Sequence, residues 1–237
     1  MKLHYDVTGS GSPIVLTTGL GDSCEVWSRL FDLLRERSRV LRWDLRGHGR
    51  SEHTDNPADY TAELGVEDLR QMIAIAGATS ANPAILVGHS LGGYLSLRVA
   101  VKHPEMVKAL VLVSTGPGFR DEVSRGKWNE YVRSMDLGSS VSAHARLLGL
   151  QSDASVIANL TSIQCPTLVV IGGEDRRFLG AKDYLVAKIP HATAAIVEGG
   201  RHAIHVSSSA EVNRAIGDFL ESAAGSRSRP PRRTIRT

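Results

Sequence analysis

The chain has 237 residues, 42% of them hydrophobic and 22% charged, which is long and apolar enough to bury the core of one α/β domain. No stretch reaches the apolar length of a membrane span, and the start, Met1-Lys-Leu-His-Tyr-Asp6, carries no apolar leader, so a cytoplasmic protein without membrane insertion is expected. The basic excess is local: Arg227, Arg229, Arg232, Arg233 and Arg236 lie in the last twelve residues, and without those five charges the formal net falls from +3 to −2, which argues against a nucleic-acid partner.

In chain order, Leu3 to Val7 alternates weakly as an edge strand, and Gly9-Ser-Gly-Ser-Pro13 turns it back. Ile14 to Thr18 predicts a buried strand ending in Gly19-Leu-Gly-Asp-Ser23, where glycines let the backbone curl close to a ligand and aim N–H groups at a developing oxyanion. A helix is expected from about Cys24 to Glu36, with Val26, Leu30 and Leu33/Leu34 on one face. Val40 to Leu45 is the next strand and ends in the tight loop Asp44-Leu-Arg-Gly-His-Gly-Arg-Ser51, in which His48 reads as a turn-stabilising residue. Thr61 to Ala78 follows as an amphipathic helix.

The stretch that organises the rest is Asn82 to Tyr94. The buried-strand run Ala84 to Val87 stops at Gly88 and a helix starts at Leu91, so Ser90 sits at a corner that forces a strained, positive-φ backbone and pushes its side chain out from the sheet. Gly88 and Gly92 flank it because a Cβ at either place would collide with the turn. Gly88-His-Ser90-Leu-Gly92 is therefore a nucleophile elbow of the serine-hydrolase type. His89 points away from Ser90 in such a turn and reads as structural. The helix stops at His103-Pro104, because proline disfavours helix in the residue before it.

Val107 to Val113 is a further strand, after which about 116–160 breaks the rhythm as a short helical lid, with Trp128, Tyr131/Val132 and Met135 at helical spacing and another pattern at Leu147, Leu148 and Leu150. Thr167 to Ile171, a helix from about Leu179 to Ile189, a strand Thr193 to Val197 and a helix from about Ala210 to Leu220 complete the fold. Strand and helix alternation of this kind predicts a mostly parallel sheet with helices on both faces, whose ligand lies beyond the carboxyl ends of the strands. Ser90, Leu20, Asp175 and His202 all follow strand ends. Residues 1–225 are expected to be a single domain and 226–237 a disordered basic tail. The two cysteines, Cys24 and Cys165, lack metal-ligand spacing, so neither a zinc site nor a disulfide framework is expected.

Gly19-Leu-Gly21, Asp44 to Ser51, Gly88 to Gly92, Gly172-Gly-Glu-Asp175 and Gly200-Arg-His202 together resemble the α/β-hydrolase superfamily over about residues 3 to 222. The resemblance implies the α/β-hydrolase fold and a triad in the chain order serine, acid, histidine: Ser90 as nucleophile, Asp175 as acid and His202 as base, with the backbone N–H groups of Leu20 and Leu91 as oxyanion donors. Elementary chemistry agrees, since a serine needs a base to take its proton and an imidazole needs a carboxylate to hold its tautomer. His205 is the rival base, but the freeing glycine turn Gly199-Gly200 stands just before His202, with only Arg201 between. Glu174 is the rival acid, yet adjacent residues in a strand end point oppositely. An acid after the strand ending near Ser114 is disfavoured, because no carboxylate occurs until Asp121.

Several positions depart from the superfamily pattern. Thr18 stands where a histidine usually braces the oxyanion loop, and its hydroxyl is the available substitute. Arg201 replaces the small residue common before the base. The lid is short, which predicts an open site or a small substrate. Gly173-Glu-Asp-Arg-Arg-Phe178 and His202-Ala-Ile-His-Val206 are similar to the menaquinone-pathway SHCHC synthases, so a triad-dependent lyase stands beside the first expectation, an esterase acting on a small-molecule acyl substrate through an acyl-enzyme without metal or cofactor. Carbon–carbon bond hydrolysis and a receptor-like binding role also stay open, because one fold hosts many functions. Arg176 and Arg177 follow the acid, and Arg120, Arg125, Lys127, Arg133 and Arg146 populate the lid; a lid this short offers few rigid positions to aim them inward, so an uncharged ester is expected.

Overall fold

A computed structural model describes residues 1–225. The tail 226–237, expected to be disordered, lies outside the described residues. The strands are β1 (Tyr5–Thr8), β2 (Ser12–Thr17), β3 (Ser38–Trp43), β4 (Ala84–His89), β5 (Val107–Val113), β6 (Thr167–Gly172) and β7 (Ala192–Val197). They form one sheet in the order β1-β3-β2-β4-β5-β6-β7, parallel throughout except for β1, which pairs antiparallel with β3. This is the expected α/β-hydrolase sheet.

Alternation along the strands divides the core into two. Val15, Leu41, Leu86, Leu110 and Val169 point to one face, where Leu69, Met72, Leu95 and Leu185 cover them. These come from α2 (Ala62–Ile75), α3 (Leu91–Lys102) and α6 (Leu179–Lys188). Ile14, Leu16, Val40, Val87, Val111 and Val170 point to the other face, under Leu30, Phe31, Val212 and Ile216 from α1 (Ser28–Leu34) and α8 (Ser209–Gly225). Both faces being covered explains why the central strands are continuous apolar runs.

Local chemistry sets the boundaries. Thr61 caps α2, its hydroxyl accepting from the Leu64 amide at 3.2 Å. The expected helix from Cys24 to Glu36 is split: a 3₁₀ turn, Cys24–Trp27, precedes α1. That division rotates the register, so Leu30 and Phe31 are buried while Leu33, placed on the inner face by periodicity, is 61% exposed. The segment 116–160, expected to form a lid, comprises α4 (Glu122–Ser134), a 3₁₀ turn Ala145–Gly149 and the single-turn helix α5 (Ser155–Ala158). Asp121 caps α4 by accepting from the Ser124 amide at 2.7 Å. Trp128 Nε1 donates to the Gly149 carbonyl at 2.9 Å, and Asn129 both donates to the Gln151 carbonyl and accepts from its amide, which fastens α4 to the returning chain. A short helix not foreseen, α7 (Ile204–Ser207), carries His205. Among the described residues no helix is long and apolar enough to cross a membrane.

Candidate active site

In this sheet the chain leaves β2 for β3 on one side and β4 for β5 on the other. The carboxyl ends of the adjacent strands β2 and β4 therefore open a crevice between diverging connections, the usual ligand position in an open α/β sheet. The loop after β2 carries Leu20, and the corner after β4 carries Ser90.

Ser90 has φ 50° and ψ −114°, one of two non-glycine residues at positive φ among the described residues. The corner closes only because its neighbours lack side chains: a Cβ on Gly88 would lie 2.4 Å from the Gly92 backbone, and one on Gly92 would lie 2.5 Å from the Thr17 carbonyl oxygen. Leu91 opens α3, so its amide belongs to the first turn, where N–H groups have no partner within the helix. Leu20 and Leu91 both border the same cavity as Ser90.

The three candidates 112 and 27 positions apart in sequence meet in one line. The Ser90 Oγ lies 3.0 Å from His202 Nε2, and His202 Nδ1 lies 3.0 Å from Asp175 Oδ2. Asp175 is buried, and burial alone would raise its carboxyl. The His202 hydrogen bond and charge, with the Phe178 amide 3.4 Å from its Oδ1, outweigh that and hold it below the ordinary carboxylate value. The two loops that carry Asp175 and His202 are joined by the Glu174 amide donating to the Gly200 carbonyl at 2.8 Å. A Cβ on Gly172 would strike the Gly200 backbone at 2.3 Å, which is why glycine precedes the acid.

The rivals are disposed elsewhere. His205 is sealed, its ring 3.8 Å from that of His89 and 5.0 Å from that of Trp27, with no hydrogen-bond partner on either nitrogen. Burial first, then the charges of His89 and His202, push its pKa down to about 2. Glu174 is exposed and pairs with Arg201 at 3.4 Å. Asp121 is spent on its helix cap. His48 Nδ1 meets the Arg46 carbonyl at 3.0 Å, as a turn-stabilising role requires.

Two expectations need correction. The Thr18 hydroxyl does not brace the oxyanion loop: it is buried and has no hydrogen-bond partner. The brace is His89. Its ring fills the space that a Cβ on Gly19 would occupy, 2.8 Å from Nδ1, and its Nε2 lies 3.1 Å from the His202 carbonyl oxygen, so one side chain supports both the Leu20 loop and the His202 loop. Sequence reasoning placed His89 away from Ser90 and stopped there. Nothing local signals a contact 113 positions away. Phe178 was also missed; its ring stacks on His202 at 5.1 Å and 21°. It stands three residues after the acid in the same tight turn, a spacing that brings a side chain back to the same side.

The second correction concerns size. The cavity over Ser90 has a volume of about 1320 Å³, walled by Phe119, Trp128, Tyr131, Leu137 and Phe178, so it has room for more than a small substrate, while the alternative expectation of an open site is not contradicted. The basic residues of the lid stay outside this cavity as expected, but Arg176, Arg177 and Arg201 border it. Two groups bring three possible metal-ligating atoms within 4.8 Å of one another: His4, Asp6 and Cys24, and Asp22, His89 and His205.

Comparison with known proteins gives a consistent picture. The family model described as "Alpha/beta hydrolase family" matches residues 14–215. RutD of Variovorax paradoxus (strain S110), named as a proposed carbamate hydrolase, is 30% identical over an alignment covering 93% of this chain and 96% of that one. A pimeloyl-[acyl-carrier protein] methyl ester esterase from Chromobacterium violaceum is 28% identical, covering 94% of this chain and all of that one. Among solved structures, MenH from S. aureus superposes with a TM-score of 0.81 at 18% identity, covering 94% of this chain and 99% of that one.

Proposed function

Because this chain belongs to the alpha/beta hydrolase family, we propose that it is a serine hydrolase cleaving a carboxylic ester or closely related acyl substrate through an acyl-enzyme. The observation that carries the reading is the unbroken line from Ser90 Oγ to His202 Nε2 and from His202 Nδ1 to Asp175 Oδ2, each step 3.0 Å. With Asp175 held as a carboxylate, His202 carries its proton on Nδ1 and presents the Nε2 lone pair to the serine hydroxyl.

The chemistry follows from those positions. Ser90 Oγ attacks the acyl carbonyl while its proton passes to His202 Nε2, and Asp175 stabilises the imidazolium that forms. The negative charge appearing on the carbonyl oxygen is met by the amides of Leu20 and Leu91. Such donors act without reorganisation at the moment of reaction, and each is typically worth roughly 3–4 kcal/mol of barrier. His202 then gives its proton to the departing alkoxide, and a water activated by the same imidazole releases the acid.

The test is labelling by a fluorophosphonate probe together with hydrolysis of p-nitrophenyl butyrate. Wild type is expected to be labelled at Ser90 and to turn over. The folded Ser90→Ala protein is expected to lose labelling and to fall by on the order of a million-fold in kcat. Retention of more than a few per cent of activity by that variant would remove the mechanism. A wild type that binds acyl compounds without turning over any of them would instead favour a receptor-like role.

A further inference from the structure

We propose that the substrate of this site carries a carboxylate remote from its scissile carbonyl, gripped at the cavity mouth by Arg177 with Arg176 and Arg201 beside it. This deepens the esterase reading and rests on it. The three arginines, all exposed, border the cavity on the two loops that also carry Asp175 and His202: Arg176 and Arg177 directly follow Asp175, and Arg201 directly precedes His202.

Arg177 is pre-positioned. Its guanidinium carbon lies 3.8 Å from the centroid of the Tyr131 ring on α4. Stacking of this kind occupies the guanidinium face and leaves its N–H edge free to receive a planar carboxylate with two parallel hydrogen bonds, and Arg177 borders the cavity. Long basic side chains ordinarily keep their heads in bulk water. Arg177 stays exposed, but its contact with Tyr131 ties its head to the cavity wall.

The charges at the mouth are not internally satisfied. Among the described residues neither Arg176 nor Arg177 is within salt-bridge distance of a carboxylate. Arg201 meets only Glu174, at 3.4 Å and with both side chains more than half exposed, a solvent-screened pair that a ligand can displace. Asp175, the remaining acid on the cavity wall, is committed to His202. The same cavity wall carries the aromatic rings of Phe119, Trp128 and Phe178. A matching occupant has an apolar middle and an anionic end, and a basic mouth also draws anions toward a concave site before contact.

Two matched ester pairs decide it: mono-p-nitrophenyl adipate against p-nitrophenyl hexanoate for an acyl-side carboxylate, and the hexanoyl ester of 4-hydroxybenzoate against that of its methyl ester for the alcohol side. In at least one pair the anionic member is expected to win by about tenfold or more in kcat/KM, the scale of one charge-assisted contact. That ratio is expected to collapse toward unity in Arg177→Gln, to shrink in Arg176→Gln, and to fall with added salt. Each ratio is taken within a single variant, so a general loss of activity does not imitate it. Ratios at or below unity in both pairs overturn the proposal. If wild type hydrolyses none of the four esters, the esterase reading fails separately. The carboxylate reading is then decided by NMR titration of Ser90→Ala with monomethyl adipate and methyl hexanoate: tighter binding of the anion that Arg177→Gln removes supports it, and equal binding refutes it.

Discussion

His202 and His205 stand three residues apart, yet their surroundings assign them opposite behaviour. His202 is 44% exposed at its side chain and touches both Ser90 and Asp175, whereas the His205 ring is closed off beneath His89. His202→Ala is therefore expected to match Ser90→Ala in lost turnover and His205→Ala to be far milder on p-nitrophenyl butyrate; the reverse order would move the base. His89→Ala removes the support under Gly19 and the bond to the His202 carbonyl. A misplacement on the ångström scale costs up to about 100-fold, so a fall of roughly 10- to 100-fold in kcat with little change in KM is expected. An unchanged kcat would show that the loops hold without it. That Ser90, Asp175 and His202 come together was legible because glycines at fixed offsets announce each turn. The role of His89 was not, since it exists only where two distant loops meet.

At the level of elements, the tight loop after β3 is tied to α2 by a buried, two-pronged ion pair: Arg46 Nε lies 2.6 Å from Asp68 Oδ2 and Nη2 lies 2.7 Å from Oδ1. Removing one partner strands the other in a dry site, so Asp68→Ala is expected to lower stability by about 3–5 kcal/mol in urea unfolding. A loss under about 1 kcal/mol would mean that water reaches Arg46. The lid helix α4 offers the opposite case. Gly126 lies inside it with open space around its Cα, so Gly126→Ala is expected to add about 0.5–1 kcal/mol, seen as a rise of roughly 1–4 °C in Tm. The central strands were readable from their apolar runs, and β1 from its weak alternation. The split of the first helix into a 3₁₀ turn and α1 was not, because the apolar spacing of Val26, Leu30 and Leu34 fits an unbroken helix as well. Cavity volume was unreadable for a related reason: it depends on how α4 is fastened to Gly149 and Gln151, not on lid length.

Over the whole molecule, His48, His89 and His205 are held neutral by burial, each with its pKa lowered. The unfolded chain protonates them near 6.5, so below that pH it binds more protons than the folded protein, and stability falls as pH falls. For His205 the loss runs from about pH 6.5 toward its folded value of about 2, at roughly 1.4 kcal/mol per pH unit. Asp175, shifted below 3.8, adds a loss only beneath that value. Urea midpoints should drop between about pH 7 and 5, and the slope should be shallower in His205→Phe; a flat profile would contradict buried neutral histidines. The three tryptophans divide along the same architecture. Trp27 and Trp43 are 1% and 0% exposed, one in each core, while Trp128 stands half-buried in the cavity wall among Phe119, Tyr131 and Phe178. Iodide can therefore quench only the Trp128 share of the ultraviolet emission, and an occupant shields that share. The protein carries its own optical gauge of cavity occupancy, which needs neither a label nor turnover.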